Sequence, residues 1–228
     1  MIGLDVGSTT AKVVSIENGE IKYDITGTHD WKNLLNGIEG EDIISTGYFR
    51  NSVPHRASVT EITAAIYGVR HFFPDADVIV DIGGQDTKVI DVRKNNFVIN
   101  DKCSAGTGAF LEFVANYFKI ELKDLGMLHL KAKRIPDINN TCGVFAISEM
   151  ISQLVAGYSK EEVIAGMHKA FARRISFMVP EGETIVLIGG AAKNEGLVSA
   201  LTDVLNKKIK IPGEPQIINA LGALKYYS

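Results

Sequence analysis

The chain is poor in several features that mark special classes of protein. It has only two cysteines and one tryptophan among 228 residues, which is too few cysteines for a disulfide-rich scaffold. Lysine and arginine total 24 against 27 aspartates and glutamates, so no charge excess favours nucleic acid or an anionic membrane as a partner. Its apolar runs fall well short of the roughly 20 residues that a membrane-spanning helix requires. The sequence therefore predicts neither a nucleic-acid partner nor a membrane span.

The remaining composition is typical of a packed globular protein. Apolar residues make up 46% of the chain and charged residues 22%, which excludes a disordered or fibrous protein. The first residues, MIGLDVGSTT, lack the basic segment and long apolar run of a secretion signal. We therefore expect a cytoplasmic protein, in which cysteines stay reduced and act as ligands, nucleophiles or core residues.

Short β-rich runs alternate with longer helical periods, which is typical of the α/β class. Strands are predicted at 2–6, 12–16, 20–28, 43–46, 78–82, 88–92, 97–100, 185–188 and 208–211. Helices are predicted at 58–73, 107–118, 122–130, 142–156, 160–179, 194–206 and 219–227. Ser58 and Glu61 have the spacing of a capping box, which places a helix start at Ser58.

A ten-residue segment occurs twice. DVGSTTAKVV at 5–14 aligns without gaps on DIGGQDTKVI at 81–90, with four of ten positions identical and two Val/Ile exchanges. Each copy is predicted to be a strand, a glycine turn and a second strand. The repeat predicts two similar α/β halves with a ligand in the cleft between them. A chance similarity between two hairpins is the alternative.

Both copies carry residues suited to phosphate and Mg²⁺. An aspartate ends each first strand, and the glycine two positions later lets backbone N–H groups approach a ligand. We predict that Asp5 and Asp81 hold Mg²⁺ through water molecules, and we count them with Glu61 as candidate catalytic residues. The predicted phosphate-binding residues are Gly7, Ser8, Thr9, Thr10, Lys12, Gly83, Gly84 and Gln85. An ordinary turn is the alternative for either copy alone, and a capping role is the alternative for Glu61.

A third glycine site follows a later predicted strand. Gly189, Gly190, Ala191 and Asn194 lie between that strand and a helix, an arrangement that lets a nucleotide approach the backbone at a helix start. The segment does not match G-x-G-x-x-G, and no P-loop pattern occurs in the chain. A Rossmann dinucleotide site and a P-loop nucleotide site are therefore both disfavoured.

These motifs together resemble those of a known superfamily. LDVGSTTAK, VDIGGQDTK and LIGGAAKN are similar to the nucleotide-binding segments of the actin, sugar-kinase and Hsp70 ATPase superfamily. NDKCSAGTGAFLE at 100–112 and TCGVFAISEMISQL at 141–154 resemble more closely the ATP-dependent activators of 2-hydroxyacyl-CoA dehydratases and the ATPase subunits of benzoyl-CoA reductase. TGYFRNSV at 46–53 and EPQIINALGALKYY near the end of the chain fit the same family. Ala109 stands where several members have arginine, which puts any docking role of that arginine in doubt.

The resemblance implies a specific architecture. It is an α/β fold of two duplicated ribonuclease H-like lobes, as in actin-like ATPases, with a nucleotide cleft between them. Lobe I would comprise residues 1–75 and be completed by a C-terminal helix at 214–228, and lobe II would comprise residues 76–213 and carry both cysteines. ATP or ADP and Mg²⁺ are the implied ligands, and Gly106, Gly108 and Gly222 join the expected nucleotide-binding residues.

The two cysteines each precede or open a predicted helix. The positive end of a helix favours the thiolate form, and a [4Fe–4S] cluster usually takes four thiolates. The resemblance implies a homodimer that shares one cluster, held by Cys103 and Cys142 of each subunit. Buried core thiols are the alternative from the residues alone, and zinc would favour closer cysteine spacing. The histidines are scattered in the sequence: His29, His55, His71, His129 and His168.

The implied activity couples two kinds of chemistry. ATP binding and hydrolysis would drive single-electron transfer from the cluster to a cluster-containing CoA-ester dehydratase or reductase, with ferredoxin or flavodoxin as the electron donor. A small-metabolite kinase of the same superfamily, without a cluster, is the alternative from a different class. A nucleotide-dependent scaffold that has lost its electron-transfer partner is a third possibility.

Overall fold

The structure, a computed structural model, describes residues 1–38, 42–139 and 142–228, so Thr141 of the second cysteine motif lies outside the described residues. The strands are β1 Ile2–Val6, β2 Thr10–Glu17, β3 Glu20–Gly27, β4 Ile43–Thr46, β5 Ala57–Ser58, β6 Val78–Ile82, β7 Thr87–Asp91, β8 Asn96–Asn100, β9 Ile185–Ile188 and β10 Ile209–Lys210. The α-helices are α1 Glu61–Phe72, α2 Gly108–Phe118, α3 Asp124–Leu130, α4 Gly143–Val155, α5 Lys160–Ser176, α6 Glu195–Leu205 and α7 Ile218–Tyr226. Short 3-10 helices span Thr28–Leu35 and Gly190–Lys193.

The strands form two five-stranded sheets with the same topology. The first sheet has the order β3-β2-β1-β4-β5 and the second the order β8-β7-β6-β9-β10. In each, three strands form an antiparallel meander and two further strands continue the sheet in parallel. The register is equivalent, because Asp5 lies opposite Lys12 and Asp81 lies opposite Lys88. The predicted duplication of an α/β unit is therefore confirmed.

Helices α1 and α7 lie between the two sheets. Ala64 of α1 and Ala223 of α7 pack with Ile44 of the first sheet. On their other side, Val69 of α1 and Ile218 of α7 pack with the second sheet. These two helices therefore join the sheets through apolar contacts, and such burial contributes about 25 cal/mol for each Å² removed from water.

Glycine allows the close approach of these elements. A Cβ atom on Gly222 of α7 would lie only 1.7 Å from the carbonyl oxygen of Ala64 in α1. A Cβ atom on Gly3 of β1 would lie 1.9 Å from the carbonyl oxygen of Ala220. We expected Gly222 at the nucleotide, but the structure places it in the contact between α1 and α7, where only glycine fits.

The second sheet has a larger helical layer on its outer face. Helix α5 is central to it, and its residues Ile164 and Met167 are fully buried. They belong to a core that includes Leu187 of β9 and Leu197 of α6. In the described ranges, no helix is both long and apolar enough to cross a membrane.

The start of α1 differs from the sequence prediction. Ser58 is the last residue of β5 and pairs with Ser45 of β4, so the predicted capping box at Ser58 and Glu61 is wrong. Thr60 is the N-cap, and its hydroxyl accepts a hydrogen bond from the backbone N–H of Thr63 at 3.2 Å. Since Glu61 is the first helical residue, its carboxylate has no capping-box role.

Candidate nucleotide site and cysteine pair

A cavity of about 970 Å³ lies between the glycine turns of the two sheets. This volume is at the upper end of the range for small-molecule sites. Most of the predicted site residues line it: Asp5, Gly7, Ser8, Thr9, Thr10, Lys12, Glu61, Asp81, Gly83, Gly84, Gln85, Gly108, Gly189, Gly190, Ala191 and Asn194. Gly106 and Gly222 are not in its lining.

The two glycine turns are built alike and meet across the cavity. The backbone N–H of Gly7 donates to the Thr10 carbonyl at 3.1 Å, and that of Gly83 donates to the Asp86 carbonyl at 2.9 Å. A Cβ atom on Gly84 would lie 2.0 Å from the Thr9 hydroxyl oxygen. The absence of a side chain at Gly84 therefore lets the first turn contact the second.

The two strand-end aspartates are buried but differently paired. Asp5 and Asp81 are each 4% exposed. Asp5 forms an ion pair with Lys12 at 3.1 Å, whereas Asp81 accepts a hydrogen bond from the Asn219 amide at 3.0 Å. Burial raises the pKa of Asp81, although the Lys88 charge and the Asn219 hydrogen bond act to lower it.

No group of three or more histidine, cysteine, aspartate or glutamate residues suited to a metal occurs in the described part of the chain. A metal ion at Asp5 and Asp81 would need most of its ligands from water or from phosphate oxygens. Mg²⁺ is usually bound in this way, with one or two carboxylates and several waters. The buried carboxylates therefore fit a water-mediated Mg²⁺ ion better than a protein-enclosed one.

A lysine that the sequence analysis did not single out also lies at this cleft. The ammonium group of Lys88 is 3.3 Å from the Glu61 carboxylate and 2.7 Å from that of Asp86. Burial raises the pKa of Glu61, and Lys88 acts against this rise. The signal was in the repeat, because Lys88 aligns with Lys12.

Several further lining residues were also missed. They are Tyr48, Ile82, Asp86, Asp101, Leu111, Glu112, Glu121, Leu122, Lys123, Lys193, Pro215, Gln216 and Asn219. Lys193 is held by Glu214 in an ion pair of 2.8 Å, and Asn219 lies in the first turn of α7. Ile82 and Asp86 belong to the second copy of the repeat, whereas the others come from separate segments outside it, so only the folded chain brings these together.

The second glycine turn is bonded directly to the segment that carries Cys103. The backbone N–H groups of Gly108 and Ala109, at the start of α2, donate to the carbonyls of Gly83 at 2.9 Å and Gly84 at 2.8 Å. This start of α2 lies shortly after Cys103 in the sequence. The second glycine turn and the first turn of α2 are therefore joined by two backbone hydrogen bonds.

The loop between Cys103 and α2 is itself held by side chains. The amide of Asn100 donates to the carbonyls of Cys103 and Ala105, both at 3.0 Å. The hydroxyl of Thr87 donates to the carbonyl of Gly106, whose φ of +90° favours glycine. Gly106 thus lies in the loop that follows Cys103, and its positive φ explains why glycine occupies this position.

The two cysteine-bearing segments are neighbours. Cys103 and Cys142 are both partly buried thiols without a disulfide, and Cys142 occupies the N-cap position of α4. A Cβ atom on Gly143 would lie 3.5 Å from the Ser104 hydroxyl oxygen, so the residues that follow each cysteine meet. Cys142 thus lies at a helix start and Cys103 lies in the adjoining loop before α2, and two such adjoining segments are suited to supply half of a four-thiolate cluster site.

Two of the scattered histidines form a buried pair. The Nδ1 atoms of His129 and His168 are 3.2 Å apart, and the amide nitrogen of Asn194 is 3.1 Å from Nε2 of His168. An amide nitrogen only donates, so Nε2 of His168 accepts and its proton lies on Nδ1. Burial lowers the pKa of His168 to about 3, so this histidine is neutral and holds Asn194 in place.

Comparison with known proteins gives a consistent picture. The family model described as "BadF/BadG/BcrA/BcrD ATPase family" matches residues 33–226. A 2-hydroxyisocaproyl-CoA dehydratase activator of Clostridioides difficile is 37% identical over 99% of this chain and 93% of its own length. The (R)-2-hydroxyglutaryl-CoA dehydratase activating ATPase of Acidaminococcus fermentans is 36% identical over 99% of this chain and 95% of its own length.

A solved structure is also similar to this chain. It is the activator of the 2-hydroxyisocaproyl-CoA dehydratase from Clostridium difficile with bound ADPNP, with a TM-score of 0.91 and 33% identity. The match covers 99% of this chain and 93% of that one. The expected actin-like ATPase fold is therefore confirmed.

Proposed function

Because the chain belongs to the BadF/BadG/BcrA/BcrD ATPase family, we propose that it is an ATP-driven electron-transfer activator of a CoA-ester dehydratase or reductase. Residues 1–75 with 214–228 form one lobe and residues 76–213 the other, and MgATP binds in the cleft between them. The similar activators named above support the CoA-ester partner. Ferredoxin or flavodoxin is the proposed electron donor.

The paired glycine turns support the nucleotide part of the proposal. Ser8 and Thr9 of the first turn and Gly84 and Gln85 of the second line the cleft, and Lys12 adds a positive charge beside Asp5. Backbone N–H groups in tight turns bind phosphate oxygens well. Asp5 and Asp81 hold the water shell of Mg²⁺, and Glu61 orients the attacking water.

The cysteine pair supports the redox part. One chain supplies two thiols, Cys103 and Cys142, so a four-thiolate site requires two subunits around a twofold axis. When bound, a [4Fe–4S] cluster supplies one-electron chemistry. The two thiols of each subunit would hold it, one from the loop before α2 and one from the start of α4.

The observation that carries the proposal is the hydrogen-bonded link between the cleft and Cys103. Gly108 and Ala109 bond to the carbonyls of Gly83 and Gly84, which belong to the second phosphate turn. A nucleotide changes an equilibrium only if it binds one conformation better than the other. A turn that moves with the γ-phosphate would transmit this preference to the cysteine loop. A kinase would not need this link, and it would not need the cysteines.

The test is an anaerobic purification of the full chain. We expect about four iron atoms per two chains, absorption near 400 nm that is lost in air, and ATP hydrolysis. Cys103→Ser and Cys142→Ser should each abolish iron binding, because each removes two of four thiolates from a dimer, whereas the neighbouring Ser104→Ala should retain it. Full iron content in either cysteine variant would overturn the proposal, and phosphate transfer to a small hydroxyl compound would favour the kinase alternative.

A further inference from the structure

The two copies of the repeated lysine have different partners. Lys12 and Lys88 occupy equivalent positions, each opposite a strand-end aspartate. Lys12 pairs with its own aspartate, Asp5, at 3.1 Å. The ammonium group of Lys88 instead pairs with Glu61 and Asp86. The two copies of the repeat therefore have the same residue at this position but different ion-pair partners for it.

The Lys88–Glu61 pair crosses between elements of the two sheets. Lys88 lies in β7 of the second sheet, whereas Glu61 begins α1 directly after the last strand of the first. Their charged atoms are 3.3 Å apart, and both residues line the cleft. The pair therefore ties the second sheet to the helix that carries the proposed water-orienting carboxylate.

The pair is well shielded from water. The Lys88 side chain is 5% exposed and that of Glu61 is 23% exposed. A buried carboxylate loses hydration and takes up a proton unless a positive charge compensates it. Burial lowers the pKa of Lys88, but the carboxylates of Asp81, Glu61 and Asp86 more than offset this and raise it. Lys88 therefore stays charged, and its charge opposes the rise that burial causes in the pKa of Glu61.

We propose that Lys88 is a positioning residue for ATP hydrolysis, which holds the Glu61 carboxylate in place at the cleft by binding it from the opposite sheet. This inference rests on the proposed ATP-hydrolysing function. Lys12 has a different task, because it neutralises Asp5 beside the first phosphate turn. Loss of Lys88 should impair turnover, whereas loss of Lys12 should impair nucleotide binding.

Steady-state ATPase kinetics on the full chain test this assignment. Lys88→Met should lower kcat about 100-fold, with KM for ATP changed by no more than about threefold, because the interaction acts on the reacting water. Lys88→Arg keeps the charge and should restore kcat to within about tenfold of the wild type. Lys12→Met should raise KM, and Lys22→Met, which removes an exposed lysine paired with Glu20, should leave both constants unchanged.

A double-mutant cycle separates positioning from a general effect on folding. Glu61→Gln should itself lower kcat about 100-fold with little change in KM, and Lys88→Met added to it should cost no more than about threefold further. A Lys88→Met variant that keeps wild-type kcat, or a full 100-fold additional loss in the Glu61→Gln background, would overturn the assignment. If Lys88→Met does not fold, wild-type kcat in Glu61→Gln would overturn it equally. A wild-type chain that neither binds nor hydrolyses ATP would overturn the proposed function and this inference together.

Discussion

His168 shows how the surroundings of one residue determine its chemistry. It is completely buried and contacts His129 on one side and Asn194 on the other. Burial, followed by the charge of His129, lowers its pKa to about 3. Burial also lowers the pKa of His129. Both rings are therefore neutral near pH 7, and the pair acts in packing and in holding Asn194 at the cleft.

A pH-dependent stability follows from this residue. The pKa of His168 is lower in the folded chain than in the unfolded one, where it is about 6.5, so the unfolded state takes up a proton first as the pH falls. The contribution of neutral His168 to stability is therefore fully present above pH 6.5 and is lost progressively as the pH falls from 6.5 towards about 3. From His168 alone, we expect the free energy of unfolding to fall by about 2 kcal/mol between pH 7 and pH 5.

Urea denaturation at several pH values measures this loss. His168→Gln should flatten the pH dependence, because it removes the buried titrating group. His29→Gln replaces an exposed histidine, so the pH dependence of its unfolding free energy should be the same as in the wild type. Identical slopes in the His168→Gln variant and the wild type would show that another group is responsible.

Glycines determine how two of the helices pack. Gly222 of α7 brings its backbone against the carbonyl of Ala64, and Gly68 of α1 does the same with the carbonyl of Ile218. A Cβ atom on Gly68 would lie 2.1 Å from that oxygen. The reciprocal contacts leave no room for a side chain at either site. Helices α1 and α7 can therefore pack this closely between the sheets only when positions 68 and 222 are glycine.

Gly222→Ala should consequently destabilise the protein. Either the new methyl group overlaps a backbone oxygen or the helices move apart, and we expect a loss of about 3 kcal/mol in the free energy of unfolding. Gly213→Ala is the matched control, because a Cβ atom there has nothing within 4 Å. It should change stability by no more than about 0.5 kcal/mol. An unchanged melting temperature with weaker ATP binding would instead place Gly222 at the nucleotide, as the sequence prediction had it.

The differences between sequence and structure arise from contacts between distant elements. The repeat predicted two equivalent strand–turn–strand units, and these form because each depends on short-range turn and strand signals. The predicted start of α1 is wrong because Ser58 pairs with Ser45 in the first sheet, and this strand pairing overrides the local capping signal. The pairing of Lys88 and the packing of Gly222 depend on which element lies opposite, and a single sequence does not encode that pairing locally.

The whole molecule is organised around the contact between its two glycine turns. Gly84 of the second turn lies against Thr9 of the first, and the same second turn is hydrogen-bonded to the start of α2. The halves of the molecule meet at the point where a polyphosphate is expected to bind. A nucleotide that bridges the turns would therefore influence how closely the halves approach.

Gly84→Ala tests this arrangement. Its methyl group would overlap the Thr9 hydroxyl and hold the turns apart, so we expect KM for ATP to rise about tenfold or more and the compaction induced by an ATP analogue to be lost. Small-angle X-ray scattering with and without the analogue measures the compaction. Gly27→Ala is a suitable control, since it lies next to the first turn with no atom near its Cβ position. A Gly84→Ala protein that contracts like the wild type would contradict the expectation.

The contact between α7 and β1 has a consequence for how the chain folds during synthesis. Ala220 and Leu224 lie against Gly3, although these residues are far apart in the sequence. The second sheet and α2 to α6 are contiguous in the chain and can assemble as soon as they leave the ribosome. The first sheet keeps part of one apolar face uncovered until residues 218–226 have been made, so this sheet is translated before the second sheet but is completed after it. Such delayed burial exposes a nascent chain to aggregation and to chaperones.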